Sequence, residues 1–247
     1  MSDWLDPVRG AFEESAQPIS FFFRNDDVGW GDERLSPLLD LFAARALPLD
    51  LAVIPGALGD DTAHRLSERC AAAAGRLRVH QHGWRHANHQ SDGRKCEFGP
   101  SRATEDQRQD LRAGRARLQA ALEPFIDPVF TPPWNRCTQA TVDLLSADAY
   151  RVLSRDCGAT PLKTSGLVEL PVAVDWQKQM AEATDGSSLG PAIAQAVAKG
   201  SPVGIMLHHA IMTDDGHAAL AALLDLLARH DKARCLTMMD CAGVGRR

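Results

Sequence analysis

FFFRNDDVGW, residues 21–30, runs from three phenylalanines into two adjacent aspartates and a glycine. The apolar run predicts a buried strand with Asp26 and Asp27 at its end. Neighbouring carboxylates repel each other, and burying either of them is costly unless a partner neutralises it. A surface turn would keep both in water, because Asn, Asp and Gly are common turn residues. A bound cation would instead neutralise them where they stand.

Length and charge narrow the class of protein. The chain has 247 residues, which suits one large α/β domain or two small ones, and a single α/β barrel of this size is ordinary. Lys and Arg number 27 against 32 Asp and Glu, a formal net charge of −5. This mild acidity argues against nucleic acid or an anionic membrane as the main partner.

The N-terminal sequence and the cysteines indicate the cellular compartment of the protein. The N-terminal sequence, MSDWLDPVRGAFEESAQP, lacks the basic start and apolar run of a signal peptide. No stretch approaches the ~18 apolar residues of a membrane span. We therefore expect a cytoplasmic protein. The six cysteines are scattered without a C-x-x-C pair, which favours reduced thiols over a disulfide framework.

Apolar runs alternate with helical patterns along the whole chain. The predicted strands include ISFFFRN, PLDLAVIPG, RLRVHQHG, PVFTPP, RVLSRD, LVELPVAVDW, PVGIMLHH and ARCLTMMD. Helical spacing of apolar residues occurs between them, for example Leu35, Leu38, Leu39 and Phe42. This alternation predicts an α/β fold with a parallel sheet covered by helices. The polar segment 177–188 is the best candidate for a mobile loop.

Polar residues gather at the ends of five predicted strands. The pairs are Asp26 and Asp27, His82 and His86, Pro133 and Trp134, Asp175 and Trp176, and His208 and His209. The carboxyl ends of parallel strands share one edge, where α/β barrels carry their active sites. Two imidazoles four residues apart can bind one metal on a helical turn. Each pair also has a structural interpretation: a turn, surface histidines, a rigid Pro-Pro loop, a helix cap or a buried histidine. His80 and His89 are interpreted as structural or peripheral.

The ordered set NDDVG, HGWRH, TPPW, VDW and MLHH resembles the polysaccharide deacetylases, carbohydrate esterase family 4 (CE4). The resemblance covers roughly residues 20–240. It implies a single domain, residues 1–247, with a distorted, TIM-like (β/α)₇ barrel. It also implies a metal-dependent hydrolase that removes acetyl groups from N-acetylated sugars.

The resemblance assigns roles to the matching residues. Asp27, His82 and His86 would bind a divalent ion, most simply Zn²⁺, with Co²⁺, Ni²⁺ or Mn²⁺ as alternatives. Asp26 would be the general base and His208 the general acid, with Asp175 fixing the imidazole tautomer. The residues expected on the substrate side are Arg24, Pro133, Trp134 and Trp176.

Three motifs depart from the family pattern. Arg24 and Asn25 replace the residues that usually precede the aspartate pair. Gly83 stands where the second motif usually has Ser or Thr. Thr131 occupies the position of the arginine that orients the base in the family, and either Arg24 or Arg136 is a candidate to supply that charge.

Three functions therefore remain open. The first is deacylation of an N-acylated sugar or glycan precursor. The second is hydrolysis of another C–N bond, such as an allantoinase-like ureide or a small amide. The third is a non-catalytic carbohydrate-binding barrel, which Thr131 favours but Asp26 and His208 oppose. Because no long groove-building insertion is present, we expect a small-molecule or short glycan substrate.

Overall fold

The structure, a computed structural model, describes residues 3–164, 166–183 and 185–245. Strands and helices alternate through these ranges. The strands are β1 Ile19–Val28, β2 Leu49–Val53, β3 Leu77–His82, β4 Ile126–Thr131, β5 Val152–Leu153, β6 Val168–Glu169, β7 Val174–Asp175, β8 Val203–Leu207 and β9 Ala233–Cys235. The α-helices are α1 Asp6–Glu14, α2 Leu35–Ala43, α3 Asp60–Ala72, α4 Thr104–Leu122, α5 Gln139–Ala147, α6 Trp176–Glu182, α7 Leu189–Lys199, α8 Asp214–Arg229 and α9 Met238–Ala242. Short 3-10 helices span Asp32–Arg34, Pro133–Asn135 and His209–Ile211.

All strand pairs in the sheet are parallel. The order is β6-β5-β4-β3-β2-β1-β8-β7, and β9 also pairs with β1. The sheet curls into a half-barrel, and its end strands β6 and β7 do not pair with each other within the described ranges. The predicted α/β fold and distorted (β/α)₇ barrel are confirmed. The carboxyl ends of neighbouring strands consequently meet along one rim.

The central strand β1 shows why the sheet is buried on both faces. Phe21 and Phe23 join the core beneath the helices, whereas Phe22 packs inside the half-barrel with Met206 and Met238. All three phenylalanines have no exposed surface, as a strand of a covered parallel sheet requires. The two-residue period of the strand therefore sends Arg24 towards the same interior face as Phe22.

The helices cover the outside of the sheet with apolar faces. The predicted spacing on α2 is confirmed, since Leu35, Leu38, Leu39 and Phe42 are buried. Within the described ranges, none of the helices combines the length and the apolar surface needed to cross a bilayer.

Three predicted boundaries were wrong. Strand β1 continues through the aspartate pair to Val28, because the polar residues find partners inside the structure. The last strand ends at Cys235, and the MMD segment begins α9 under an N-cap from Thr237. Of the segment 177–188 expected to be a loop, residues 177–182 belong to α6, because this helix buries Met180 against the core. Residues 183 and 185–188 lie between α6 and α7 outside any helix or strand, and residue 184 lies outside the described residues.

Candidate metal centre and the surrounding site

Asp27, His82 and His86 converge at the carboxyl ends of β1 and β3. Oδ1 of Asp27 lies 3.1 Å from Nε2 of His82 and 3.3 Å from Nε2 of His86. One donor atom from each residue lies within 4.8 Å of the other two. Two imidazole nitrogens and a carboxylate oxygen form a donor set that suits Zn²⁺ and leaves a position for water or substrate. The structure thus brings together the three residues predicted as ligands.

The hydrogen bonding of His82 determines which of its nitrogens faces Asp27. Nδ1 lies 3.0 Å from the backbone oxygen of Thr131, and a carbonyl oxygen only accepts, so Nδ1 carries the hydrogen. In the neutral ring, Nε2 then presents a lone pair to the Asp27 carboxylate. Two lone-pair atoms this close require a proton or a cation between them. A backbone-bound imidazole of this kind is the usual orientation of a metal ligand.

Two of the three predicted ligands have left-handed backbone conformations. Asp27 has φ 64° and His86 has φ 55°. Conformations of this kind cost about 1–3 kcal/mol each in a residue other than glycine and cluster at functional sites. Strand β1 also shifts register against β2 between Asn25 and Val28. Because this bulge interrupts the alternation of the strand, Asp27 turns to the histidines instead of into the sheet. The predicted helical turn between the histidines is wrong, since a loop carries His86.

The charges in the cluster follow from burial and mutual proximity. Burial by itself would raise the pKa of Asp27. The hydrogen bond to His82 and the charges of the nearby histidines outweigh burial, so the pKa of Asp27 lies below its usual value and the carboxyl stays ionised. Burial and the charge of His82 lower the pKa of His86 to about 4, which leaves that ring neutral at pH 7. Burial lowers the pKa of His82, but the bond to Asp27 raises it above its usual value. A cation that binds here would take the place of the His82 proton.

The second aspartate of the pair has a different partner. Arg24 donates from Nε to Oδ1 of Asp26 and from Nη2 to Oδ2, each at 2.8 Å. The guanidinium also donates to Asn135 and to the hydroxyl and carbonyl oxygens of Ser154. Arg24 has no exposed surface, and Asp26 is 3% exposed. This burial corrects the expectation that Arg24 contacts substrate, because the guanidinium lies behind the carboxylate.

The arginine missing from position 131 is replaced from another element. Arg24 reaches the Asp26 carboxylate from two residues earlier on the same strand face. Arg136, the other candidate, instead donates to the backbone oxygen of Lys95 on the rim. Arg24 is thus the arginine that orients Asp26.

Two further histidines near the ligands have distinct environments. His80 has no exposed surface, and its Nε2 lies 2.9 Å from the Thr131 hydroxyl. Burial, reinforced by the charge of Arg24, lowers the pKa of His80 well below its usual value, so this ring is neutral. His89 is exposed on the loop after β3. Neither belongs to the metal-binding cluster, in agreement with their structural or peripheral interpretation.

The end of β8 turns His208 towards the cluster and His209 away from it. Nε2 of His208 lies 3.9 Å from Oδ2 of Asp27, and the side chain is 22% exposed. Its Nδ1 has no hydrogen-bond partner among the described residues. His209 has no exposed surface, and its ring and backbone N–H both bond the amide of Asn25. Only His208 is therefore placed to reach a ligand at the cluster.

Three residues predicted to act at the site are capping or buried residues instead. Asp175 accepts a hydrogen bond from the backbone of Lys178 and caps α6, so it does not orient the His208 ring. Trp176 has no exposed surface and packs edge-to-face on Trp4 in the core. Pro133 is buried as well. These positions correct the expectation that Trp176 and Pro133 contact substrate, because neither offers surface to it.

Two tryptophan rings contact the ring of His86. The ring centroid of Trp30 lies 4.9 Å from that of His86, and the centroid of Trp134 lies 4.4 Å from it. Trp134 was predicted at the site. Trp30, which is 43% exposed, was not predicted at the site. Its position three residues after Asp27 could have indicated it.

A buried carboxylate that no sequence pattern marks holds the loop that carries His86. Glu97 has no exposed surface, and its Oε2 accepts from the backbone N–H of Trp84 at 3.0 Å. Its Oε1 accepts from the N–H groups of Arg85 and Ala87 at 2.8 and 3.3 Å. A Cβ on Gly83 would lie 2.1 Å from Oε2. The glycine is therefore required because Glu97 occupies the space that a serine or threonine would fill.

The likeness of this chain to known proteins lies in its fold. No family model and no curated protein sequence matches it. A deacetylase solved with substrate, named T48, superimposes with TM-score 0.62 at 14% identity over 93% of this chain and 94% of the other. A family 4 acetyl xylan esterase from Clostridium thermocellum, in complex with a cobalt ion, gives 0.60 at 14% over 90% and 89%. A CE4 pseudoenzyme mutant with restored activity, of a Bacillus anthracis protein, gives 0.61 at 14% over 92% and 68%. The chain has the fold of the CE4 polysaccharide deacetylases.

Substitution of the predicted ligands should remove bound metal. His82→Ala and His86→Ala each delete a nitrogen donor, and Asp27→Asn removes the only negative donor of the set. We expect wild-type protein to bind one divalent ion per chain and these variants to lose it, as measured by elemental analysis after zinc loading and desalting. His64→Ala, on the exposed face of α3, is the matched control. Wild-type zinc content in both ligand-histidine variants would show that the ligands are assigned wrongly.

Loss of Glu97 should weaken metal binding although Glu97 touches no metal donor. Glu97→Ala leaves three backbone N–H groups without their acceptor and releases the loop that carries His86. Residues that hold metal ligands in place without touching the metal typically contribute about 10–100-fold to metal affinity, so we expect a loss of this size in Glu97→Ala. Glu97→Gln should lose less metal affinity, because its amide oxygen still accepts hydrogen bonds. Zinc affinity is measured by competition with a chromophoric chelator, after circular dichroism has verified the fold. Glu68→Ala, an exposed carboxylate on α3, is the control. Equal affinity in Glu97→Ala and Glu68→Ala would contradict a positioning role.

Proposed function

We propose that this chain is a divergent member of the polysaccharide deacetylase superfamily, a metal-dependent hydrolase that removes an acyl group, most simply acetyl, from an N-acylated sugar or short glycan. The observation that carries this proposal is the convergence of Asp27, His82 and His86 beside a second, separately paired aspartate. That convergence occurs at the rim where barrel enzymes hold their sites. The solved structures of similar fold include deacetylases, which supports the reaction class.

The donor set would hold Zn²⁺, and Co²⁺, Ni²⁺ or Mn²⁺ fit the same ligand types. The C. thermocellum esterase of similar fold is a complex with cobalt. When bound, the ion supplies Lewis-acid chemistry, because it polarises an acyl carbonyl and lowers the pKa of a water molecule.

Asp26 is proposed as the general base. Each carboxylate oxygen accepts one hydrogen bond from Arg24 and keeps further lone-pair capacity for a water proton. The bidentate contact fixes the plane of the carboxylate, so that its free lone pairs keep one direction. Position is a large part of general-base catalysis, since the base must lie within hydrogen-bond reach of the proton it takes.

His208 is proposed as the general acid that protonates the leaving nitrogen. Its Nε2 faces the Asp27 carboxylate at 3.9 Å, so the ring lies on the open side of the metal-binding cluster. Because the side chain is partly exposed, it can meet a substrate and take up a proton from solvent afterwards.

Trp30 and Trp134 are proposed as the aromatic surfaces that receive the sugar or its acyl group. Both rings lie against His86, and they reach the rim from the ends of different strands. Apolar aromatic faces combined with a few fixed polar groups are typical of small-molecule sites.

Acetate release from N-acetylated sugars tests the proposal. Zinc-loaded protein should release acetate from at least one member of a panel of N-acetylglucosamine and its short oligomers. Asp26→Asn should bind zinc normally and lose about 10²–10⁴-fold in kcat, because the amide cannot accept the water proton. The assay is enzymatic detection of acetate, with zinc content measured on the same samples.

Allantoin and simple amides belong in the same panel, because the same groups could cleave another C–N bond. Turnover of these compounds without acetate release from any sugar would replace the sugar deacylase with that second activity. Sugar binding without turnover, or unchanged turnover in Asp26→Asn, would contradict the proposed chemistry.

Removal of the proposed acid should slow turnover and spare the metal. His208→Ala should lower kcat about 10²-fold or more while zinc content stays at the wild-type level. The loss should be smaller for substrates with better leaving groups, such as an aryl acetate, because these need less protonation. His64→Ala is again the surface control. A uniform loss for amide and aryl ester substrates would show that His208 does not act as the acid.

A further inference from the structure

A group of three cations lies at the rim beside Trp134. Nζ of Lys95 is 6.0 Å from the centre of the Trp134 ring. Nη1 of Arg136 donates to the backbone oxygen of Lys95 at 2.9 Å. Arg94 precedes Lys95 on the loop after β3, and Arg136 follows the 3-10 helix after β4. The group, Arg94, Lys95 and Arg136, is called the basic rim below.

The basic rim is joined to the metal-binding cluster by one aromatic ring. The Trp134 ring centroid lies 4.4 Å from that of His86 and 6.0 Å from Nζ of Lys95. A substrate held with its acyl group at the cluster would therefore extend over Trp134 to reach these cations.

The charges of the basic rim are not neutralised by ion pairs in the part of the chain that the structure describes. Burial, together with the charge of Arg94, lowers the pKa of Arg136, which reflects cations held close to one another. Asp156 is the carboxylate whose charge raises the pKa of Arg136, and it accepts from the backbone N–H of Gly158 without a direct ion pair to the guanidinium. Like charges placed together on a chain of net charge −5 are a cost that a bound anion would offset.

We propose that the basic rim is a subsite for an anionic group of the substrate, a phosphate ester or a carboxylate carried by the acylated sugar. This inference rests on the proposed deacylase function and specifies its substrate class. Guanidinium groups bind phosphate and carboxylate oxygens through paired N–H donors, and the lysine adds a mobile point charge. A charged subsite at the mouth of the site would also raise the rate at which an anionic substrate arrives.

The test compares three N-acetylated sugars of similar size: N-acetylglucosamine, its 1-phosphate, and N-acetylmuramic acid, which carries a carboxylate. We expect kcat/KM to be higher for at least one anionic sugar than for the neutral one, and the advantage to shrink as ionic strength rises. Comparison of the 1-phosphate with N-acetylmuramic acid identifies whether the subsite prefers a phosphate or a carboxylate. The ratio of anionic to neutral kcat/KM should fall about tenfold in the Arg94→Ala/Lys95→Ala double variant, which corresponds to about 1.4 kcal/mol of lost interaction.

The matched control is Lys199→Ala/Arg229→Ala, which removes the same net charge from two exposed helix ends, at α7 and α8. It should keep the wild-type ratio. A preference for the neutral sugar in wild-type protein, or an equal ratio in the two double variants, would overturn the subsite.

Calorimetric titration with N-acetylglucosamine 1-phosphate separates this inference from the proposed reaction. If no sugar is hydrolysed, the deacylase proposal fails, but the subsite still predicts a dissociation constant about tenfold weaker in the rim variant than in the control. Equal dissociation constants in the rim variant and the control would reject the subsite. Equal values are also the result expected if the phosphate binds only at the zinc.

Discussion

Two adjacent carboxylates at the end of a buried strand must each be neutralised by a separate partner. The alternation of β1 places Asp26 on the same face as Arg24, which binds both of its oxygens inside the half-barrel. The left-handed backbone of Asp27 turns that residue out of the alternation and towards His82 and His86. The Asp26 carboxylate is therefore neutralised by the Arg24 guanidinium, and the Asp27 carboxylate remains available for a metal ion.

The other elements of the rim serve this arrangement. The β4 carbonyl of Thr131 fixes the tautomer of His82, and the end of β8 brings Nε2 of His208 to 3.9 Å from Oδ2 of Asp27. Glu97 gathers three backbone N–H groups and so holds the bend that presents His86. The ligand geometry thus depends on buried hydrogen bonds that are expensive to break, because each leaves an unpaired polar group.

Two departures from the deacetylase sequence pattern have the same physical explanation. The orienting arginine is absent at Thr131, and Arg24 supplies the guanidinium from β1 instead. The hydroxyl residue is absent at Gly83, and the carboxylate of Glu97 fills the space from a different part of the loop. In both cases a side chain from another position occupies the place that the family residue would take, and the identity to two solved structures of this fold is 14%.

The sequence by itself determined the parallel α/β fold, because apolar strands that alternate with amphipathic helices have few other ways to bury both sheet faces. It also indicated Asp27, His82 and His86, since their residue types fall at strand ends that must share a rim. Only the tertiary structure decided the partner of Asp26, the exclusion of Trp176 from the site and the role of Glu97. Those outcomes depend on which buried groups the folded chain brings into hydrogen-bond contact, and such contacts leave no periodic signal in the sequence.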